Sequence, residues 1–392
     1  MQFRTRLLAA LTAIFLASCG GGGSEPLTSS VGITSVKVMG DSLTDSGTFE
    51  GIPGYGRIFS VQGSESEPNV IWTERTAAVL GTPQLCNFFG ITLSADSSTP
   101  PTVTTNPGCS SYGVGGGRIN NLASNGGESS PLSIVMQLQT AAAVNGNYSA
   151  SDLLLIDGGG NDAADLVGAY LKAASDGGAD YQQLLLTLLP PTTVASLLTT
   201  TGGPEQAGGL YMQALADKFY GAIKTYGLEL GAERVAVLNM PGITNTPRFQ
   251  LVLASIAQAK GAEARDQAEM LFRSWIMAFN QRLATNVGTD ARVLVVDFFT
   301  SFDDQVKSPA QYGLTNVTTP ACPITGLDDD GLPEYNFQTC TAQALSAAPP
   351  TGVTDPNWWK TYAFADGFHP TPYGYQLLGQ LVAKSLATAG WL

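Results

Sequence analysis

Histidine occurs once in this 392-residue chain, at position 369. A metal site built from several imidazoles is therefore excluded. The five cysteines do not replace it, because no two have Cys-x-x-Cys spacing. Charge is also scarce: Asp, Glu, Lys and Arg make up 13% of residues, and acidic side chains outnumber basic ones 32 to 19, for a formal net charge of −13. Nucleic acids need clustered Lys and Arg to neutralise their phosphates, so this composition excludes them as partners. No Gly-Lys-Ser/Thr run is present to cradle a nucleotide, and no Gly-x-Ser-x-Gly run to form the serine elbow of an α/β-hydrolase. No internal repeat is found. Nothing in the sequence calls for a cofactor or a metal.

What is present begins with a leader. Arg4 and Arg6 precede an apolar run from Leu7 to Leu16, which exits through Leu16-Ala-Ser-Cys19. The run is too short to span a bilayer, which takes roughly 20 residues. The Leu-Ala-Ser-Cys order resembles a bacterial lipobox, in which Cys19 becomes the lipidated first residue of the mature chain. Gly20 in place of aspartate points, by the same resemblance, to the outer membrane of a Gram-negative cell, facing the periplasm or the outside. The expected organisation is a signal peptide at 1–18, a flexible glycine-rich tether at 19–30 and one exported domain at 31–392. Setting Cys19 aside leaves Cys86, Cys109, Cys322 and Cys340. In an oxidising compartment an even four can pair, and Cys86–Cys109 with Cys322–Cys340 is the simplest of the three connectivities.

Four apolar runs, Ile33–Met39, Leu153–Asp157, Arg234–Met240 and Arg292–Phe298, read as buried parallel strands. A fifth strand is expected between residues 80 and 112. Helical periodicity spans Leu210–Leu230 and Ala254–Thr285; in the second stretch Ile256, Met270, Leu271, Trp275, Ile276 and Phe279 form the apolar face. Strands alternating with helices predict an α/β fold, a mainly parallel sheet covered on both sides. Two stretches, roughly 165–208 and 301–362, exceed what a minimal sheet needs.

The chemistry gathers at predicted strand ends, the edge at which such sheets bind ligands. Gly40-Asp41-Ser42-Leu43 breaks the first strand into a turn, exposing a serine with free backbone N–H groups beside it. A serine hydroxyl needs an imidazole base held by a carboxylate, and Asp366-Gly-Phe-His369 offers both groups three residues apart in a loop. After the second strand, Gly158-Gly-Gly-Asn161-Asp162 places a carboxamide that can donate to an oxyanion or cap the following helix. Tyr112-Gly-Val-Gly-Gly-Gly-Arg118 adds a glycine-rich loop.

Taken in order, Gly40-Asp-Ser-Leu43, Gly115-Gly116, Gly159-Gly-Asn-Asp162 and Asp366-Gly-Phe-His369 resemble the four sequence blocks of the GDSL or SGNH hydrolases, in particular their bacterial secreted lecithinase/lipase-like branch. The resemblance implies a three-layer α/β/α, flavodoxin-like fold and ester hydrolysis without a cofactor. It implies Ser42 as nucleophile, His369 as general base and then acid, and Asp366 as its orienting partner. The oxyanion donors would be the Ser42 N–H, the Gly116 N–H and the Asn161 side chain, with Gly115 as the alternative glycine. Ser111-Tyr112-Gly113 stands where the family more often has Asn-Tyr/Phe-Ala. The implied substrates are small-molecule or lipid esters with hydrophobic acyl groups. A phospholipase and, with Trp358-Trp359 stacking on a sugar, a carbohydrate O-acetylesterase are the alternatives. An apolar run at Leu184–Leu189 or Val194–Leu198 would serve either as a lid or as ordinary core. From another class, a noncatalytic surface lipoprotein remains open, although such a chain is expected to lose one of Ser42, Asn161, Asp366 or His369, and all four are present. Oligomeric state is not fixed by the sequence.

Overall fold

A computed structural model describes residues 32–93, 101–328 and 331–392. The leader, Cys19 and the tether expected at 19–30 lie outside the described residues. In chain order the first half runs β1 (Ser35–Met39), α1 (Trp72–Val79), β2 (Phe89–Thr92), β3 (Thr102–Thr105), α2 (Ile134–Asn145), β4 (Asp152–Ile156), α3 (Gly160–Asp176), α4 (Ala179–Leu185) and α5 (Pro191–Leu198). The second half runs α6 (Gly203–Tyr226), β5 (Val235–Leu238), α7 (Pro247–Lys260), α8 (Ala262–Val287), β6 (Val293–Val296), α9 (Phe298–Lys307), β7 (Ile324–Leu327), β8 (Pro333–Tyr335), α10 (Ala342–Ala347) and α11 (Pro372–Thr388).

The four predicted strands form one parallel sheet in the order β1-β4-β5-β6. Side chains alternate across it, so a strand apolar at every position must be covered on both faces. Leu154 and Ile156 join Met39, Val235 and Val237 in a core with α2, α3, α6 and α8. Leu153 and Leu155 join Val36, Val38, Ala236 and Val296 in a second core with α1, α9 and α11. The result is the three-layer α/β/α arrangement.

The expected fifth strand is reduced to a single bridge. Val38 N–H donates to the Ser110 carbonyl at 3.0 Å and Tyr112 N–H to the Val38 carbonyl at 2.7 Å, so residues 110–112 run parallel beside β1. The regular strands in that region, β2 and β3, instead pair antiparallel with each other outside the sheet. Two helical expectations are also corrected. Ala254–Thr285 is two helices, because Gly261 adopts a φ of +91° that breaks the α-helical path. Met270, expected on the buried face, is 64% exposed, while Phe272 beside it is buried. The 165–208 stretch forms α4 and α5, whose Tyr181, Leu184, Leu185 and Val194 are core. Both expected disulfides are present, Cys86–Cys109 and Cys322–Cys340. No helix among the described residues is long and apolar enough to cross a membrane.

Candidate active site

The site lies at the C-terminal edge of the sheet, where β1 and β4 adjoin while the connections diverge, the crevice in which open α/β sheets bind ligands. Ser42 follows β1, residues 158–161 follow β4, and the Gly115–Gly117 loop follows the segment that bridges β1. Neighbouring strands therefore bring three distant stretches together.

At the end of β1 the chain must turn against β4. A Cβ on Gly40 would lie 1.7 Å from Asp157 Oδ1, so only glycine fits. Asp41 then shapes the turn: its Oδ1 accepts the Leu43 N–H at 3.0 Å and its carbonyl the Thr44 N–H at 3.0 Å. Ser42 sits on this turn, 8% exposed, and its N–H meets no acceptor among the described residues.

His369 reaches Ser42 from a loop just before α11. Asp366 Oδ1 accepts the Phe368 and His369 N–H groups at 2.8 and 2.6 Å, folding the four residues into a tight hook. Its other oxygen lies 2.8 Å from His369 Nδ1. With Nδ1–H donating to that carboxylate, Nε2 is left to accept the Ser42 hydroxyl, 2.7 Å away. Burial works against the charge on Asp366, yet the imidazole and the two amides together hold its carboxyl below the ordinary range. Phe59 and Phe337 flank the imidazole, with ring centroids 5.1 and 5.7 Å from it.

The glycine loop faces the serine from the other side. Gly115 N–H donates to Asp45 Oδ2 at 2.7 Å, whereas the Gly116 N–H meets no acceptor among the described residues. Gly116 has a φ of +77°, a conformation that a residue with a Cβ adopts only with strain. Asn161, in the first turn of α3, donates through Nδ2 to the Gly117 carbonyl at 2.9 Å, and its second amide hydrogen is free for another acceptor. The positive end of the α3 dipole points to the same place. Asp162 does not cap α3 through its side chain. It accepts the Ile119 and Asn120 N–H groups at 2.9 and 2.8 Å, and burial pushes its pKa up to about 6.

These groups border a cavity of about 330 Å³. The buried Leu238, Ile243, Phe298, Phe302 and Phe364 and the more exposed Phe49, Tyr55 and Phe59 line it. No residue of 165–208 lines it, and the apolar side chains there pack in the core, the second of the two roles expected of them. The Trp358 and Trp359 indoles donate to the Leu345 carbonyl and the Ser346 hydroxyl, and neither residue lines this cavity.

A Ser-His-Asp chain beside free amide donors is the machinery of acyl transfer. The family model described as GDSL-like Lipase/Acylhydrolase matches residues 36–382. The chain belongs to that family. Similar relatives include two anther-specific proline-rich proteins APG, from Arabidopsis thaliana and Brassica napus, each 25% identical over 162 residues. Those alignments cover 41% of this GDSL-family chain and 26% and 31% of the two plant proteins, so it spans about a quarter to a third of their length.

Sequence reasoning missed Asp45, which links the serine turn to the glycine loop, and Asp157, which closes β4 against that turn. Both are aspartates in or beside turns, where the type alone suggests only a cap. It also missed Phe59 and Phe337, which belong to no motif and reach the histidine through tertiary packing alone.

Proposed function

We propose that this chain is a serine carboxylesterase or lipase that favours hydrophobic acyl groups and works through an acyl-enzyme. The observation that carries the reading is the continuous chain from Asp366 through His369 to Ser42, with contacts of 2.8 and 2.7 Å. His369 takes the hydroxyl proton as Ser42 Oγ attacks the ester carbonyl. The tetrahedral oxyanion is held by the Ser42 and Gly116 amides and the free Asn161 N–H. His369 then protonates the departing alcohol, and water, deprotonated by the same imidazole, releases the acid. Gly116 is assigned over Gly115 because Asp45 already occupies the Gly115 amide. The aromatic and aliphatic cavity walls favour hydrophobic acyl chains over acetyl groups.

The test is turnover of p-nitrophenyl esters from acetyl to palmitoyl by a fragment lacking the leader. Turnover should rise from acetyl toward longer chains and vanish in Ser42→Ala. Undiminished hydrolysis by that variant would contradict the serine mechanism. A preference for acetyl would contradict the substrate class. The Leu16-Ala-Ser-Cys19 sequence further supports export and lipid anchoring at Cys19 in an outer membrane. Cys19→Ala should shift the protein out of the membrane fraction, and unchanged fractionation would contradict the anchor.

A further inference from the structure

Two carboxyls lie beside the proposed nucleophile without a part in that mechanism. Asp41 and Asp157 are 5% and 3% exposed, at the ends of the adjacent strands β1 and β4. Asp157 N–H donates to the Met39 carbonyl at 3.2 Å, holding the two chains side by side, and the missing Cβ of Gly40 lets the Asp157 carboxyl settle against the turn. Neither Asp157 oxygen receives a well-formed hydrogen bond among the described residues, although the Thr44 hydroxyl and the Asp41 N–H lie close to its carboxyl. The Thr44 hydroxyl nearby donates instead to the Asp41 carbonyl at 2.9 Å. Asp41 can donate nothing as a carboxylate, and two ionised carboxylates buried against each other are strongly disfavoured.

We propose that a single proton is held between the Asp41 and Asp157 carboxyls, and that it makes Asp157 a positioning residue for the turn that carries Ser42. A protonated Asp157 becomes a donor, and Asp41 is the acceptor next to it. Asp41 is also the residue that holds the turn, through its bonds to the Leu43 and Thr44 amides. The proton therefore ties the end of β4 to the nucleophile's own backbone. The charged and titratable groups facing the pair are Arg118, His369, Tyr375 on α11 and, around Tyr375, Asp366 and Asp45. Burial, and then the neighbouring Asp41 charge, push Asp157 well above the usual carboxylate range; burial raises Asp41 as well. Tyr375 is raised by the same burial and stays neutral beside them.

The kinetic part of this inference rests on the serine reading; the protonation itself does not. Infrared or carboxyl carbon NMR spectra at mildly alkaline pH should show a protonated carboxyl in the wild-type protein that is absent from Asp157→Asn. Asp162, at about 6, is already ionised under those conditions and does not interfere. A spectrum with every carboxyl ionised overturns the proposal. In ester turnover, Asp157→Asn, which keeps a neutral donor, should stay within a few-fold of wild-type kcat. Asp157→Ala should lose about a hundredfold with KM little changed, the scale expected for displacing a reacting group by an ångström. Equal losses in the two variants, or a loss in neither, would also overturn it. Failure of the serine reading would show separately, as activity surviving Ser42→Ala with the carboxyl signal intact.

Discussion

Replacing Asn161 with alanine separates an oxyanion donor from a structural side chain. The amide makes one hydrogen bond within the protein, 2.9 Å to the Gly117 carbonyl, and leaves a second N–H free at the mouth of α3. A neutral hydrogen bond contributes about 0.5–1.5 kcal/mol. If all of that loss appeared as displacement of the glycine loop, kcat would fall by about tenfold, since about 1.36 kcal/mol corresponds to a factor of ten. A donor aimed at the developing oxyanion is worth about 2.7–4 kcal/mol, or 10²–10³ in kcat. Asn161→Ala should therefore lower kcat by at least a hundredfold with KM nearly unchanged, as measured by steady-state turnover of a soluble ester. Near-ultraviolet circular dichroism should show the fold intact. A loss of tenfold or less would mean that the side chain only supports Gly117, and the assignment would fail.

Three further perturbations follow from the same geometry. Asp366→Asn keeps the shape of the hook but no longer holds His369 in the tautomer that leaves Nε2 free, so kcat should fall by about 10⁴; a loss under tenfold would mean that Asp366 does not orient the base. Ile243→Phe narrows the cavity that Ile243 lines and should lower kcat/KM for long-chain esters by about tenfold relative to acetyl, the cost of misfitting a few methylenes; an unchanged chain-length profile would place the acyl group elsewhere. Asp162 has a folded pKa of about 6, above its unfolded value of about 3.9, so the native state holds the extra proton between those values. Through this group stability should decline as pH rises from about 4 to 6, by on the order of 3 kcal/mol. Urea unfolding across that range should show a decline in the wild type that is shallower in Asp162→Asn, with Asp157 and the other buried aspartates supplying the remainder; equal slopes would refute it.

The sheet was legible because all four of its strands are apolar runs bounded by turn residues. Leu153 to Ile156, apolar at every position, can only be a strand covered on both faces. The break at Gly261 was not, since the heptad-like apolar spacing continues past it and only the backbone reveals the turn. The edge segment at 110–112 escaped for a related reason: a one-residue bridge leaves no alternation to read. At the site, Ser42, Asn161, Asp366 and His369 stood out because each residue type has a definite job in acyl transfer and each sits at a predicted strand end or loop. Asp45 and Asp157 did not, because their significance lies in which amide or carboxyl they face across more than 65 residues of chain: 70 from Asp45 to Gly115 and 116 from Asp41 to Asp157. The aromatic walls were hidden likewise, with Phe59 and Phe337 meeting only around His369.

The most direct measurement is covalent labelling with an activated phosphonate ester, followed by mass mapping of the adduct. One equivalent should attach to the peptide containing Ser42, abolish ester turnover in step with labelling, and form far more slowly in His369→Ala. An adduct on another residue, or full turnover after Ser42 is blocked, would contradict the account.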